Sequence, residues 1–274
     1  MSGILYVVGT PIGNLGDLSP RAAETLESVD FIAAEDTRVT LKILNHCGIK
    51  KPMISYFEHN RREKGEVICR RLEAGESCAI VTDAGMPCIS DPGELLVAQC
   101  AERGIPVAVV PGPSAVVSAL AISGLPTGRF TFEGFLSVNK KSRTDHLESL
   151  KDERRTMIFY EAPHKLPNTL RDLYQAFGDR RISIVRELTK LHEEAIRTTL
   201  REAVEKYGDG GLKGEIVLVL EGKGEEEREE YTPEQAVKLA KKLIEDGSSV
   251  SDAAKQAAKA TGLKKNEIYR LLVE

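Results

Sequence analysis

The sequence contains no apolar run that approaches the roughly 20 residues needed to cross a bilayer. Its first residues, Met1 to Tyr6, lead straight into an apolar segment, without the basic start and cleavage site of a secretory signal. Five cysteines form no CxxC pair and five histidines show no metal-ligand spacing, so we expect reduced thiols and no bound metal. These absences predict a protein that stays in the cytoplasm and does not act at a membrane.

A broadly basic surface, of the kind that binds nucleic acid non-specifically, is also missing, since the net charge is −4. Residues 221–230 carry six acidic and two basic side chains, and residues 231–274 carry six acidic and eight basic ones. The rest of the chain is therefore nearly neutral. If RNA is the substrate, its recognition must depend on local basic clusters and on shape.

Hydrophobic residues make up 41% of the chain, which is enough to form buried cores. In the first half, short apolar runs typical of buried strands alternate with helical patterns, which predicts a mostly parallel sheet covered on both faces. Ser19-Pro20 begins one predicted helix, and Asp91-Pro92 begins another that runs to Arg103. The strands are expected at Ile4–Val8, Phe31–Ala34, Met53–Tyr56, Cys78–Val81 and Val107–Val110.

The second half has five further strand candidates, and two short junctions between them favour antiparallel pairing in a mixed sheet. They are Phe130–Phe135, Thr156–Tyr160, Arg181–Leu188, Glu193–Thr199 and Ile216–Leu220. The acidic stretch 221–230 is typical of a flexible linker, and a capping box at Thr232 opens a tail of three short helices. We predict an N-terminal α/β domain at 1–116, a C-terminal α/β domain with a mixed sheet at 117–222, and the linker and helical tail at 223–274.

Four loops rich in glycine, proline and aspartate follow predicted strands of the first half. Turn chemistry explains any one of them, but the four together indicate a pocket, because ligands of open α/β sheets bind outside the carboxyl ends of the strands. The first loop has neither the P-loop lysine nor the GxGxxG spacing, which disfavours an ATP or NAD enzyme of the usual kinds. The loops are GTPIGNLGD (9–17), EDTR (35–38), TDAGMPCISDPG (82–93) and PGPSA (111–115).

Other motifs carry a weaker signal. FEGF (132–135), YEAPHK (160–165) and RELTK (186–190) end strands of the second half, where aromatic residues are commonly core and adjacent Arg and Glu are commonly solvated. His59, which precedes Asn60 in the loop after the third predicted strand, is the one histidine expected at the pocket edge. A structural role is the alternative for a lone histidine.

Taken in order, these motifs resemble those of the ribosomal small-subunit RNA (cytidine-2′-O)-methyltransferases, which belong to the tetrapyrrole methylase fold group. The resemblance rests on GTPIGNLGD, AEDTR, HN, DAGMPCISDPG, VPGPSA, FEGF, YEAPH, RELTK and KGEIVLV, from about residue 4 to residue 221. The helical tail is similar to one that many members carry. Small departures are Met86, Cys88, Ser137 and Lys165, which stand where threonine, leucine, proline and arginine are common.

The resemblance implies two α/β domains with S-adenosylmethionine in the cleft between them, and a homodimer. The implied target is a specific cytidine near the decoding centre of the small ribosomal subunit. Residues implied to bind the cofactor are Asp83, Ala84, Gly85, Ile89, Ser90, Ser114, Ala115, Glu161, Glu215 and Ile216. Residues expected on the substrate side are Thr10, Pro11, Asn14, Arg38, Asn60 and Lys190.

A sulfonium is a strong methyl donor, so the enzyme mainly needs to place the 2′-oxygen in line with the methyl group. A base that assists deprotonation of the hydroxyl would add about 10²–10⁴-fold. Candidates for the base are His59, Asp36 and Glu187, and Arg186, Arg38 or Lys190 would hold a phosphate or polarise the hydroxyl. The sequence does not choose among them.

Two other functions stay open at this point. One is a tetrapyrrole C-methyltransferase of the same fold, although such enzymes typically carry a GxGPGD-type first loop. The other is a non-catalytic RNA-binding ribosome assembly factor that acts through the helical tail, for which a pocket built from four loops has no use.

Overall fold

The computed structural model describes residues 2–224 and 231–273, so most of the predicted acidic linker lies outside the described residues. The chain divides into two compact units, Met1–Lys223 and Gly224–Glu274. Of the helices in the described ranges, none is both long enough and apolar enough to cross a membrane.

The first unit contains two five-stranded sheets, in agreement with the ten predicted strands. The first sheet is built from β1 (Leu5–Val8), β2 (Phe31–Ala34), β3 (Met53–Ser55), β4 (Cys78–Val81) and β5 (Val107–Val110). All its pairings are parallel, in the order β3-β2-β4-β1-β5. Because the strands are parallel, the loops that follow them meet at one edge of the sheet. The intervening helices are α1 (Pro20–Ser28), α2 (Thr37–His46), α3 (Arg61–Glu73), α4 (Glu94–Glu102) and α5 (Ala115–Ser123).

Helices cover both faces of the central strands, as the continuous apolar runs predicted. On one face Phe31 and Ile80 pack with residues of α3 and α4 such as Leu72. On the other face Ile32 and Val81 belong to a cluster with residues of α1 and α2. The edge strand β5 differs, because Val107 is 39% and Val109 is 57% exposed. The prediction that β5 is a buried strand was therefore wrong within this chain, since β5 pairs on one side and keeps one face open.

The second sheet is mixed, as predicted, with the order β6-β7-β10-β8-β9. Its strands are β6 (Phe130–Phe135), β7 (Thr156–Glu161), β8 (Arg181–Arg186), β9 (Glu194–Thr199) and β10 (Ile216–Leu220). β6 and β7 pair in parallel, and the other three pairings are antiparallel. Its helices are α6 (Lys140–Ser149), α7 (Leu166–Phe177) and α8 (Leu200–Tyr207).

The helix predicted to begin at Asp91-Pro92 begins later, at Glu94, and ends at Glu102. Gly93 is its N-cap with φ +141°, and Ser90 has φ +62°. Gly93 directly follows Pro92, and its conformation interrupts a helix, so the proline does not occupy the first helical turn. The preceding residues are thereby left as a loop at the carboxyl edge of the first sheet.

α5 connects the two sheets and packs on the second one. Val116 and Leu120 lie in a cluster with Val185 and Val217 of β8 and β10. The predicted boundary between residues 116 and 117 falls within this helix. The two boundaries between the three predicted domains stay predictions.

The second unit consists of α9 (Pro233–Glu245), α10 (Val250–Thr261) and α11 (Lys265–Val273). The predicted capping box is present, since Thr232 and Gln235 exchange side-chain and backbone hydrogen bonds at the start of α9. A small core of alanines joined by Ile268 holds the three helices together.

Candidate functional site

A cavity of about 340 Å³ lies between the loop edge of the first sheet and the ends of β7, β8 and β10 in the second. Its lining is largely apolar. From the first half it takes Ile12, Ala84, Gly85, Met86, Ile89, Ser90, Asp91, Ser114 and Ala115. From the second half it takes Phe135, Tyr160, Glu161, Ala162, Pro163, Val185, Leu188, Glu215, Ile216 and Val217. Nine of the ten residues named for the cofactor lie on this surface, all except Asp83.

Thr10 joins the first loop to the loop after β4. Its backbone exchanges two hydrogen bonds with Gly85, of 2.9 and 3.1 Å, and its hydroxyl donates to the Thr82 carbonyl at 3.1 Å. The side chain is 1% exposed, and Pro11 is also buried. These two residues, named for the substrate side, thus shape the wall between the loops instead of presenting polar groups to solvent.

Backbone strain is concentrated in two of the predicted motifs. Four residues other than glycine have positive φ angles in the described part of the chain. Cys88 and Ser90 belong to the loop after β4, and Glu187 and Thr189 belong to the RELTK segment. Such conformations cost of order 1–3 kcal/mol each and tend to cluster at functional sites. Both segments contribute to the wall of the cavity.

The charged residues that line the cavity, among those described, are all acidic: Asp91, Glu161 and Glu215. Burial, together with the nearby carboxylates of Glu35 and Asp83, raises the pKa of Asp91 to about 6. The cavity therefore favours a ligand that is apolar over much of its surface and carries positive charge.

Asp83 lies beside the cavity and ties two loops together. Its carboxylate accepts a hydrogen bond from the backbone N–H of Asp36 at 3.1 Å, and its own N–H donates to Glu35 at 3.4 Å. Burial raises the pKa of both Asp83 and Glu35. These two hydrogen bonds fix the position of the loop after β4 relative to the loop after β2. The sequence did not indicate this role for Asp83.

Asp36 and Arg38 form a preorganised pair on the exposed side of the same edge. Asp36 caps α2 by accepting from the Arg38 N–H at 2.8 Å, and the Arg38 Nε donates to it at 3.0 Å. These hydrogen bonds lower the pKa of Asp36 to about 2. The Arg38 side chain is 88% exposed, so its unused guanidinium hydrogens face solvent.

Glu187, Lys190 and Glu215 form a second polar cluster, at the end of the second sheet. The Lys190 Nζ donates to Glu187 at 2.9 Å and to Glu215 at 3.0 Å, and the Glu215 N–H donates to the Glu187 carboxylate at 3.0 Å. The bonds from Lys190 and Glu215 lower the pKa of Glu187. A Cβ on Gly13 would lie 2.6 Å from the Lys190 Cγ, so this cluster packs directly on the first loop.

The other candidates lie farther apart. His59 is exposed and contacts the Phe57 ring, and the Asn60 side chain is occupied by the Phe57 N–H and the Ser55 carbonyl. Both follow the edge strand β3, two strands from β4, which is about 10 Å at ordinary strand spacing. Arg186 pairs with Glu194 at 2.8 Å. Asn14 is exposed, and its side chain accepts from the Gly16 N–H.

Ten of the lining residues were not named from the sequence, and three of these carry a charge or an aromatic ring. Asp91 was taken as a helix start, and Phe135 and Tyr160 were weighed as core aromatics. In the structure the two rings meet edge to face at 5.5 Å beside the cavity. Their positions at the ends of strands in FEGF and YEAPH were the signal, since strand ends at one edge of a sheet border the same space.

Residues 4–204 match the family described as Tetrapyrrole (Corrin/Porphyrin) Methylases, and residues 231–274 match the RsmI C-terminal HTH domain. The first match spans most of the chain, so the fold and the cavity are those of a methyltransferase of the tetrapyrrole methylase class. A solved structure of uroporphyrin-III C-methyltransferase from Thermus thermophilus, in complex with S-adenosyl homocysteine, aligns with a TM-score of 0.56 at 18% identity. The alignment covers 80% of this chain and 97% of that one, which is a likeness of fold.

Two sequence relatives narrow the assignment, and both are named ribosomal RNA small subunit methyltransferase I. The protein from Synechocystis is 47% identical over 99% of this chain and 98% of its own length. The protein from Thermotoga maritima is 50% identical over 221 residues, which are 81% of this chain and 99% of its own length. The chain belongs to the tetrapyrrole methylase family, and within it to the small-subunit ribosomal RNA methyltransferases. The predicted resemblance and fold are confirmed.

Proposed function

We propose that this protein transfers a methyl group from S-adenosylmethionine to the 2′-hydroxyl of a cytidine in small-subunit ribosomal RNA, near the decoding centre. The observation that carries the proposal is the cavity between the two sheets, with an apolar lining and acidic charges. The names of the relatives support an RNA of the small subunit as the substrate class.

The cavity fits this cofactor by its chemistry. S-adenosylmethionine carries a sulfonium and an ammonium group, which the carboxylates of Asp91, Glu161 and Glu215 would attract. Apolar side chains such as Ile89 and Met86 offer surfaces for its adenine ring. A phosphate-bearing cofactor would instead need cationic side chains, and none of the described residues that line the cavity is cationic.

We assign the cofactor site to Ala84, Gly85, Ile89, Ser90, Ser114, Ala115, Glu161, Glu215 and Ile216, and we add Asp91. Asp83 would act through the loop that it holds. When bound, the cofactor supplies an electrophilic methyl group attached to sulfur. The residues of the chain then have to orient the two reactants and exclude water, and such positioning can contribute about 7–11 kcal/mol to the lowering of the barrier.

The substrate side is assigned to the exposed groups on the same edge. Arg38, held in place by Asp36, would bind a phosphate. Asn14 of the first loop and Lys190 of the neighbouring polar cluster would also face the RNA. Asp36 and Glu187 already accept several hydrogen bonds as anions, which makes each a weak base because an effective base has a pKa near the working pH. His59, Asn60 and Arg186 stay candidates for RNA contacts.

Homodimer formation in the cytoplasm is part of the proposal. Val107 and Val109 are exposed on the same side of the edge strand β5, and they form an apolar face that a second copy would cover. Light scattering would test this. We expect a dimer for the natural chain and a monomer for Val109→Glu.

The experiment that tests the function combines S-adenosylmethionine, radiolabelled in its methyl group, with small subunits from cells that lack the enzyme. We expect label in one cytidine, and alkaline cleavage blocked after that nucleotide because the 2′-oxygen no longer attacks the phosphate. Label in a tetrapyrrole instead would favour a C-methyltransferase. Binding to subunits without any label transfer would favour a non-catalytic assembly factor.

A further inference from the structure

The cavity residue Glu161 is connected to a chain of polar side chains that no sequence motif includes. Glu161 ends β7, is 5% exposed, and lies opposite Ile216 of β10. One of its carboxylate oxygens accepts from the Ala162 N–H at 2.8 Å. The other accepts from the hydroxyl of Thr169, a residue of α7 that is 0% exposed.

The direction of the Thr169 hydroxyl is determined by Arg143 of α6. The Arg143 Nη2 donates to the Thr169 oxygen at 2.8 Å, and its Nε donates to Asp172 at 2.5 Å. A guanidinium has no acceptor, so the hydroxyl oxygen must receive this bond and direct its own proton toward Glu161. The Arg143 side chain is 13% exposed, which keeps this arrangement largely out of water.

We propose that Thr169 and Arg143 are positioning residues that keep the Glu161 carboxylate aimed into the cavity, where it pairs with a cationic group of the cofactor. Each carboxylate oxygen takes one hydrogen bond from the protein and retains a lone pair for the ligand. This inference rests on the proposed function, because it takes S-adenosylmethionine as the ligand.

Paired variants separate positioning from packing. Thr169→Val keeps the shape of the side chain and removes the hydroxyl, whereas Thr169→Ser keeps the hydroxyl. Arg143→Met removes the second member of the chain. Arg171→Met is the control for loss of an arginine beside Thr169, because Arg171 lies on α7 itself but donates to the Gly208 carbonyl at the end of α8. The affinity for S-adenosylmethionine is measured by calorimetry, and KM and kcat are measured with small subunits.

We expect Thr169→Val and Arg143→Met to weaken cofactor binding and raise its KM about tenfold, the size of a lost charge-assisted hydrogen bond, with little change in kcat at saturating cofactor. Thr169→Ser and Arg171→Met should stay close to the unmodified protein. Unchanged affinity in folded Thr169→Val, or an equal loss in Thr169→Ser, would overturn the proposal. If Thr169→Val does not fold, Arg143→Met decides alone. Failure of the unmodified protein to bind the cofactor would refute the proposed function instead.

Discussion

Gly9 and Gly112 touch each other through their backbones. A Cβ added to Gly9 would lie 2.7 Å from the Gly112 Cα, and one added to Gly112 would lie 2.8 Å from the Gly9 Cα. The first loop and the loop after β5 can approach this closely only because neither residue has a side chain. Met86, which lines the cavity, closes the same junction by accepting a hydrogen bond from the Gly112 N–H at 3.3 Å.

Substitution Gly112→Ala should therefore force the two loops apart. We expect a loss of about 1–3 kcal/mol in the free energy of unfolding, the usual cost of overpacking, together with weaker cofactor binding. Gly128→Ala is the control, because a Cβ there meets no atom within 4 Å. Thermal melts with and without S-adenosylmethionine measure both effects. Equal stability and equal cofactor binding in the two variants would show that the two loops can accommodate the added methyl group.

The cavity wall at Gly85 gives a second prediction. Gly85 has φ +86°, and a Cβ there would contact Ile12 and the Pro113 carbonyl at 3.4 and 3.6 Å. Gly85→Ala and Gly85→Val share the backbone strain of a positive φ, but the larger side chain also fills ligand space. We expect saturating cofactor to stabilise the natural protein by ~2.7 kcal/mol at 100 times its Kd. The stabilisation should shrink in the alanine variant and vanish in the valine variant. If Gly85→Val retains the full stabilisation by the cofactor, Gly85 does not belong to the cofactor site.

Asp91 predicts a pH dependence of cofactor affinity. Its pKa in the free protein is about 6, so the carboxylate gains its charge as the pH rises through that value. A cationic ligand favours the ionised form, hence affinity should rise by about threefold to tenfold from pH 5 to pH 7 and then level off. Asp91→Asn should bind more weakly and lose this slope, whereas Asp145→Asn, at an exposed position on α6, should keep it. Calorimetry at several pH values makes the comparison, and a slope that persists in Asp91→Asn would assign the titration to another group.

The helical tail should assist binding of the subunit and be dispensable for binding of the cofactor. It forms its own compact unit, and the Thermotoga maritima relative aligns over a length close to that of the first unit alone. Lys223 should be kept in a truncated protein, because its N–H donates to the Glu153 carbonyl and its Nζ pairs with Asp152 at 2.8 Å. We expect truncation after Gly224 to leave cofactor affinity unchanged.

Subunit binding by the truncated protein should weaken and depend less steeply on salt, because fewer phosphate contacts release fewer counterions. A full-length chain in which the tail lysines 255, 259, 264 and 265 are replaced by glutamine is the matched comparison. If its subunit binding equals that of the natural chain while truncation weakens binding, the tail acts through its shape and not through these charges. Loss of cofactor binding on truncation would contradict the proposed independence of the two units.

Local pattern was enough to predict the ten strands to within two residues at each end. The apolar runs at Phe31–Ala34 and Cys78–Val81 match their strands to the residue, because a strand buried on both faces has few alternatives. The order of the motifs along the chain likewise indicated the family. Prediction was poorer at the start of α4, where the φ of +141° at Gly93 overrides the helix signal of Asp91-Pro92.

The sequence by itself determined the succession of strands and helices and the set of loops from which a pocket could form, since hydrophobic period and turn residues act over a few positions. Tertiary structure alone decided which side chains share that pocket. In the folded chain Asp91 lines the cavity, Asp83 links two loops by hydrogen bonds, and Arg143 contacts Thr169 from a separate helix. Those contacts form between residues that are far apart along the chain, and no local sequence pattern indicates which of these residues meet.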